Sequence, residues 1–127
     1  MTPDEMKRRL KTFALRCIRL AESFPRTPTG RTIGGQLIDS ATSAAANYRA
    51  ACLARSRAEF AAKIGIVVEE SDESVFWIDL APDAGLVKRN LVESLMAEGS
   101  EILRIAIASR KTAKSARRAQ PPIAPPQ

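Results

Sequence analysis

Five glutamates in the second half of the chain have a spacing that could bind a metal ion. Glu69, Glu70 and Glu73 form the pattern EExxE, and Glu98 and Glu101 form ExxE further along. Residues three or four positions apart share one face of a helix, and carboxylate oxygens are the ligands that Mg²⁺ prefers. Such a site would suit the Mg²⁺-dependent hydrolysis of a nucleotide.

The same glutamates also have a simpler interpretation. Their pattern loosely resembles the Mg²⁺-binding motif of all-α nucleotide pyrophosphatases, but Glu101 stands where that motif has its final Asp, and Ile and Val dominate the neighbouring turns. A solvated acidic face, or one that pairs with basic helices, explains the same residues. We favour this second interpretation and expect neither a metal nor a cofactor.

The chain contains no histidine. This removes the commonest general base at neutral pH, the Glu-x-x-His ligand pairs of di-iron bundles and every zinc site that needs a histidine. Ser/His/Asp and Cys/His nucleophile systems are excluded for the same reason. We therefore predict a protein that is not an enzyme and has no catalytic residues.

Basic residues form a larger candidate site. The ten residues selected as candidate nucleic-acid contacts are Lys7, Arg8, Lys11, Arg19, Arg49, Arg55, Arg57, Arg110, Lys111 and Lys114. Guanidinium and ammonium groups can bind a phosphate backbone without reading its sequence. With a single Tyr and a single Trp, an aromatic platform for stacking bases is not evident. Pairing with an acidic helix of another subunit would use the same cations.

The net charge of +6 is unevenly distributed along the chain. Residues 1–101 contain fourteen basic and fourteen acidic residues, whereas residues 102–127 contain six basic residues and no acidic one. Within the balanced part, residues 1–55 are net basic and residues 56–101 are net acidic. Basic helices are therefore expected to face acidic ones.

The length of 127 residues is typical of one domain with its own core. No apolar run approaches the ~18 to 20 residues of a membrane span, and the first ten residues lack the apolar stretch of a signal peptide. Cys17 and Cys52 lie far apart in apolar helical patterns, which favours buried thiols over a disulfide or a metal pair. We predict a cytoplasmic protein without a membrane partner.

Two helices are predicted in the first half of the chain. Thr2, Pro3 and Glu5 provide an N-cap, a first-turn proline and a capping-box partner. The apolar positions that follow at alternating steps of four and three are Met6, Leu10, Phe13, Cys17, Leu20 and Phe24. A second helix is expected from near Thr29, and its inner line is Ile33, Leu37, Ala41, Ala44, Tyr48 and Ala51.

Two further helices are predicted after residue 55. Ser56 and Glu59 have capping-box spacing for a helix from about Arg57 to Leu80, which Pro82 should stop. Asp83 is expected to cap the fourth helix. That helix carries two apolar lines, so two of its faces should be buried, either by a partner subunit or because the helix is central in the bundle. The first line is Leu91, Leu95, Ile102 and Ile105, and the second is Val92, Met96, Leu103 and Ile107. Residues 1–110 should form the bundle, and residues 111–127 a disordered basic and Pro-rich tail.

The second and third helices carry the resemblance to a known family. The matching elements are Ser40-Ala41-Thr42-Ser43 with Asn47, Ala54-Arg55-Ser56 with Glu59-Phe60, Lys63 and Ile64, and the stretch from Glu69-Glu70 to Trp77. In these elements the chain resembles the small four-helix-bundle proteins related to the ribosomal-RNA intervening-sequence proteins. The resemblance extends to the accessory protein of diversity-generating retroelements, a pentameric barrel that binds nucleic acid and the reverse transcriptase.

The resemblance implies an all-α, antiparallel up-and-down four-helix bundle and a ring-like homo-oligomer, with a pentamer as the known form. It implies no enzymatic activity. Our primary hypothesis is therefore a non-enzymatic oligomeric scaffold that binds RNA or DNA nonspecifically through basic helical faces. The alternatives are a protein-only assembly module with an unidentified protein partner and, third, a Mg²⁺-dependent all-α nucleotide pyrophosphatase.

Overall fold

The computed structural model describes residues 1–119, with side chains up to residue 115. It contains four α-helices, α1 (Pro3–Glu22), α2 (Pro28–Cys52), α3 (Arg57–Asp83) and α4 (Glu93–Ala119), and one 3₁₀ turn at Arg89–Leu91. Each helix packs on the next one along the chain, and α1 makes a smaller contact with α4. The predicted all-α, up-and-down four-helix bundle is confirmed. No helix among the described residues is long and apolar enough to cross a membrane.

Helices α1 and α3 begin with the predicted local signals, whereas α2 begins with a cap that was not predicted. Glu5 N–H donates to Thr2 Oγ1 at 3.2 Å and Thr2 N–H donates to Glu5 Oε2 at 2.8 Å, which completes the capping box. At α3, Glu59 N–H donates to Ser56 Oγ at 3.0 Å. Thr27 caps α2 in the same manner, two residues before the predicted start. Side-chain caps of this kind satisfy backbone N–H groups that have no partner within the helix.

The connection between α3 and α4 differs from the sequence prediction. Asp83 does not cap α4, because it is the last residue of α3 and accepts a hydrogen bond from Arg89 at 2.7 Å. Pro82 lies inside the last turn, where a missing N–H removes one bond of a helix that is already ending. Gly85, with φ +75°, then reverses the chain in a conformation that favours glycine.

Helix α4 continues at least nine residues beyond the predicted bundle boundary at Arg110, as far as Ala119, the last described residue. The added segment is rich in Ala, Lys and Arg, which have high intrinsic helix propensity. The apolar pattern fades at Arg110, but the helix does not need that pattern to continue. Residues 120–127 of the predicted tail lie outside the described residues.

The core follows the predicted inner lines of α1 and α2 closely. Leu10, Phe13, Cys17, Leu37 and Ala41 have no more than 1% of their surface exposed. Helix α4 departs from the prediction, because Leu91 lies in the 3₁₀ turn with 67% exposure and Ile107 is 42% exposed. Its second apolar line is therefore only partly covered within one chain.

Small residues bring the helices close together. Ser40 of α2 and Ser74 of α3 are buried and share a hydrogen bond of 2.8 Å. Between α1 and α4, Gly99 leaves room for Phe13, since a Cβ on Gly99 would lie 3.1 Å from the Phe13 ring and 3.1 Å from Val75. A Cβ on Gly65 of α3, in contrast, would have no neighbouring atom within 4 Å.

We expect Gly65→Ala and Gly99→Ala to have different effects on stability. Gly65→Ala should raise the free energy of unfolding by about 0.5–1 kcal/mol, because alanine restricts the unfolded chain and favours the helix. Gly99→Ala should be at least about 1 kcal/mol less stable than Gly65→Ala, because the buried Phe13 must shift. Urea unfolding of the two variants measures the difference, and equal gains in stability would contradict the close contact at Gly99.

Candidate functional site

The structure engages the ExxE glutamates in ion pairs. Arg9 Nε and an Arg9 terminal nitrogen donate to the two carboxylate oxygens of Glu98 at 2.7 and 2.8 Å, which ties α1 to α4. Arg104 donates to Glu101 at 2.8 Å on the surface of α4. Arg16 of α1 adds a 3.0 Å hydrogen bond to Ser94. Both carboxylates of this motif therefore form ion pairs with arginines.

The EExxE motif lies on a different side of the bundle. On α3, Ser74 faces α2 and Val75 faces α4. Glu69 is exposed on the opposite side, and Glu73 accepts a 3.2 Å hydrogen bond from Trp77 Nε1. Within residues 1–119 no three Asp, Glu or Cys side chains are grouped so that they could hold a metal ion. The two acidic motifs are not brought together.

The pair of Arg9 and Glu98 is the best-formed ion pair between helices. About a quarter of each side chain is exposed, and both hydrogen bonds join a charged donor to a charged acceptor. The hydrogen bonds from Arg9 hold the pKa of Glu98 below its ordinary value of 4.5, with a smaller opposing effect of burial. The carboxylate is therefore more favoured in the folded state than in the unfolded state.

A carboxyl whose pKa is lowered by folding stabilises the protein above its unfolded pKa, and that contribution is lost as the pH falls through the folded pKa. We expect Glu98→Gln to lower the free energy of unfolding by roughly 1 kcal/mol at neutral pH. The difference from the wild type should shrink as the pH falls below about 4.5, and it should be lost once the pH is below the lowered pKa of the folded state, where the wild-type carboxyl is also neutral. Urea unfolding at several pH values measures this.

The matched control is Glu101→Gln, because that carboxylate pairs with an arginine that is 68% exposed. Its effect should be smaller at every pH, since exposed ion pairs contribute little. A pH-independent loss in Glu98→Gln would contradict the role of the charged pair.

Nine of the ten predicted basic residues lie in one half of the bundle, which we call the basic end. This end contains the start of α1, the connection between α2 and α3, and the end of α4. The residues placed there are Lys7, Arg8, Lys11, Arg49, Arg55, Arg57, Arg110, Lys111 and Lys114. Arg19 alone is separate, in the last turn of α1.

Four of these cations line a groove between α1 and α2, which we call the α1–α2 groove. It has a volume of about 500 Å³, with Lys7, Arg8 and Lys11 on one side and Arg49 on the other. Its floor is formed by Ala14, Leu15, Ile18, Thr42, Ala45 and Ala46. Within the described chain, Arg8, Lys11 and Arg49 have no salt bridge, and Lys7 has only a 3.8 Å contact with Asp4.

A second groove opens at the basic end between the α2–α3 connection and α4. It has a volume of about 730 Å³, and Arg55, Arg57, Phe60, Ile105 and Thr112 are among its lining residues. No residue of α1 lines it. The last turns of α4 extend past the first residue of α1, so α1 does not cover this part of α4.

The register of the two helices explains this opening. Arg9 meets Glu98, and α1 begins six residues earlier at Pro3, about 9 Å along the helix axis. The contacts of Arg16 with Ser94 and of Phe13 with Gly99 place the start of α1 level with about residues 107–109, so the last turns of α4 extend past it. Lys111 and Lys114 are exposed on these last turns.

Sequence reasoning did not place the apolar lining residues of the two grooves beside the cations. Leu15 is 42% exposed, and Ile18, Phe60 and Ile105 are half-buried. The sequence does carry their signal, because Leu15 and Ile18 widen the apolar stripe of α1 beyond its a/d line, and Ile105 belongs to an apolar line of α4. Arg9 and Arg16 did not enter the candidate set, and the structure engages both in contacts with α4.

The two thiols do not form a reactive pair. Cys17 and Cys52 are both free, and burial raises the pKa of Cys17 to about 12. The nucleophilic thiolate of Cys17 is therefore disfavoured at neutral pH. Burial likewise raises the pKa of Tyr48 to about 12, with Cys52 as a further cause.

Comparison with known proteins agrees with this architecture. The 23S rRNA-intervening sequence protein family matches residues 5–108. The chain belongs to this family. A solved member of the S23 ribosomal protein family from Bacteroides thetaiotaomicron, described as a protein of unknown function, is 29% identical with a TM-score of 0.80. The match covers 87% of this chain and 99% of that protein. Comparison with curated proteins gives no match.

Membership of the 23S rRNA-intervening sequence protein family confirms the resemblance that was found on α2 and α3. The matched region ends at residue 108, so it includes the α1–α2 groove and leaves out Lys111 and Lys114. The basic last turns of α4 are therefore a feature of this chain beyond the matched region.

Proposed function

We propose that this protein is a non-enzymatic, homo-oligomeric four-helix scaffold whose basic end binds RNA or DNA nonspecifically. The observation that supports the proposal most directly is that the candidate cations of the α2–α3 connection and of the last turns of α4 lie together at that end. Phosphate contacts made by Lys and Arg supply affinity without sequence information. The assigned contacts are Arg55, Arg57, Arg110, Lys111 and Lys114.

The burial of Tyr48 and Trp77 agrees with binding through the phosphate backbone alone. Tyr48 is 9% exposed, and Trp77 is half-buried beside Phe76 and donates its N–H to Glu73. Neither ring is available as an open stacking platform. Binding of single strands through stacked bases would need such a platform, so the proposal assigns no base recognition.

Self-association is the second part of the proposal. A ring of identical bundles would place several copies of the basic end on one surface, which multiplies the charge available to a nucleic acid. The family resemblance implies a pentamer. We place the protein in the cytoplasm, since both of its cysteines are free thiols.

Salt titration tests the nucleic-acid part of the proposal. Binding to a generic duplex and to a structured RNA should weaken roughly a thousandfold between about 50 and 200 mM salt if about six phosphates are contacted. Combined replacement of Arg55, Lys111 and Lys114 by Gln should reduce the slope of log K against log salt by roughly 2.7 for duplex DNA. Fluorescence anisotropy measures both quantities.

A matched control removes three cations at the opposite end of the bundle, by replacing Arg19, Arg26 and Arg31 with Gln. These side chains are exposed, and this variant should keep the wild-type slope. Absence of binding even at low salt, or equal slopes in the two triple variants, would reject the basic end as the binding surface.

A protein-only assembly module is the second candidate function. The apolar floors of the two grooves favour it, because Leu15, Phe60 and Ile105 have no role in contacting phosphate. We expect the nucleic-acid scaffold to lose its captured partners when a lysate is treated with nuclease. Retention of one protein partner after nuclease treatment, identified by mass spectrometry, would support the assembly module instead.

A further inference from the structure

We infer that the outer face of α3 in one copy of the chain docks into the α1–α2 groove of a second copy. The outer face of α3 is defined by Ile66, Glu69, Asp72, Glu73 and Phe76. The inference names the contacting surfaces of the self-association in the proposed function, and it rests on that part of the proposal.

The α1–α2 groove has the shape and chemistry to accept a helix. Its floor contains Ala14, Ala45 and Ala46, whose short side chains leave a channel between the two helices. Ridges of one helix pack into grooves of this kind. Leu15 and Ile18 make the channel apolar, and four cations stand along its edges. A suitable occupant therefore has apolar side chains flanked by carboxylates.

The outer face of α3 has these two properties. Ile66 and Phe76 are 36% and 55% exposed, although both are large apolar residues. Glu69, Asp72 and Glu73 lie between them at spacings that keep the set on one side of the helix. Among the described residues, none of these three carboxylates belongs to a salt bridge. The charge of this face is uncompensated within one chain.

The two surfaces also have similar lengths and opposite charges. The groove runs from Lys7 to Ile18, about 16 Å along α1, and the face runs from Ile66 to Phe76, about 15 Å along α3. Three cations without a salt bridge in the described chain, together with Lys7, border the first surface, and carboxylates without a salt bridge border the second. Complementary potentials of this kind fix the register and suppress wrong pairings. A phosphate backbone has no apolar group to fill the floor, which favours a protein helix as the occupant.

The docking is heterologous, because the groove and the face are different parts of one chain. Each copy then offers one groove and one face, so copies add until a ring closes or a filament grows. Lys7, Arg8, Lys11 and Arg49 are covered in such an assembly. The cations of the last turns of α4 remain open, so assembly and phosphate binding use separate residues.

Charge reversal on each surface tests the inference in the full chain. The groove variant carries Lys11→Glu and Arg49→Glu, and the face variant carries Glu69→Lys and Asp72→Lys. Glu73 is left unchanged because it accepts the hydrogen bond from Trp77. All four altered side chains are exposed, so the fold should be retained. A third variant combines the four substitutions, and the control carries Arg19→Glu and Arg26→Glu.

Sedimentation and light scattering over a concentration series measure the outcome. The groove variant and the face variant should each associate at least about tenfold more weakly than the wild type, because like charges meet across the contact. The combined variant should recover most of the association, since the signs are complementary again. The control should associate like the wild type. Circular dichroism confirms the helical content of each variant.

Several results would overturn the inference: wild-type association in the groove or face variant, failure of the combined variant to recover, or a wild type that stays monomeric. A groove variant that assembles normally but loses binding to duplex DNA would identify the groove as a phosphate site. If the wild-type protein stays monomeric and still binds DNA, the docking is rejected and the nucleic-acid part of the proposed function stands. Each part is therefore tested separately.

Discussion

Close packing of α2 against α3 is the constraint on which the rest of the structure depends. Ala41 and Ala44 are fully buried on α2, and Ser40 and Ser74 share the one side-chain hydrogen bond found between these helices in the described chain. A buried hydrogen bond of this type contributes about 1 kcal/mol net, but it is satisfied only at one register. That register places the α2–α3 connection, and with it Arg55 and Arg57, beside the end of α4.

The sequence predicts the parts of this fold that depend on local chemistry. Caps such as Thr2 with Glu5 involve residues three positions apart, so their geometry follows from the helix itself. The role of Asp83 is not local in this sense, whereas the extension of α4 has a local cause that the apolar pattern does not report. Asp83 is held by Arg89 across a turn that Gly85 forms, and α4 continues because its last residues have high helix propensity, although they lack an apolar face.

The candidate site is predictable as a set of residue types, whereas its division into surfaces depends on the fold. Arg8 and Arg9 are adjacent in the sequence, but neighbouring helical residues point about 100° apart. Arg9 is therefore bound to Glu98, and Arg8 remains on the edge of a groove. The same rotation points Ser74 toward α2 and Glu73 away from it. The EExxE glutamates of α3 therefore do not converge with the ExxE glutamates of α4, although both motifs have the spacing of metal ligands. Charge counts along the chain contain none of this angular information.

The short α1 has a consequence for local stability. Beyond the start of α1, the α2–α3 connection and the last turns of α4 lack one neighbouring helix and bury fewer side chains. Segments with few buried contacts open more easily than the core, so backbone amide exchange should be fastest at this end of the bundle. The helical surface that carries the open cations is then also the one that can adjust its conformation at low cost. Such compliance would suit the proposed contact with phosphate backbones of different shape, while the packed half of the bundle stays rigid.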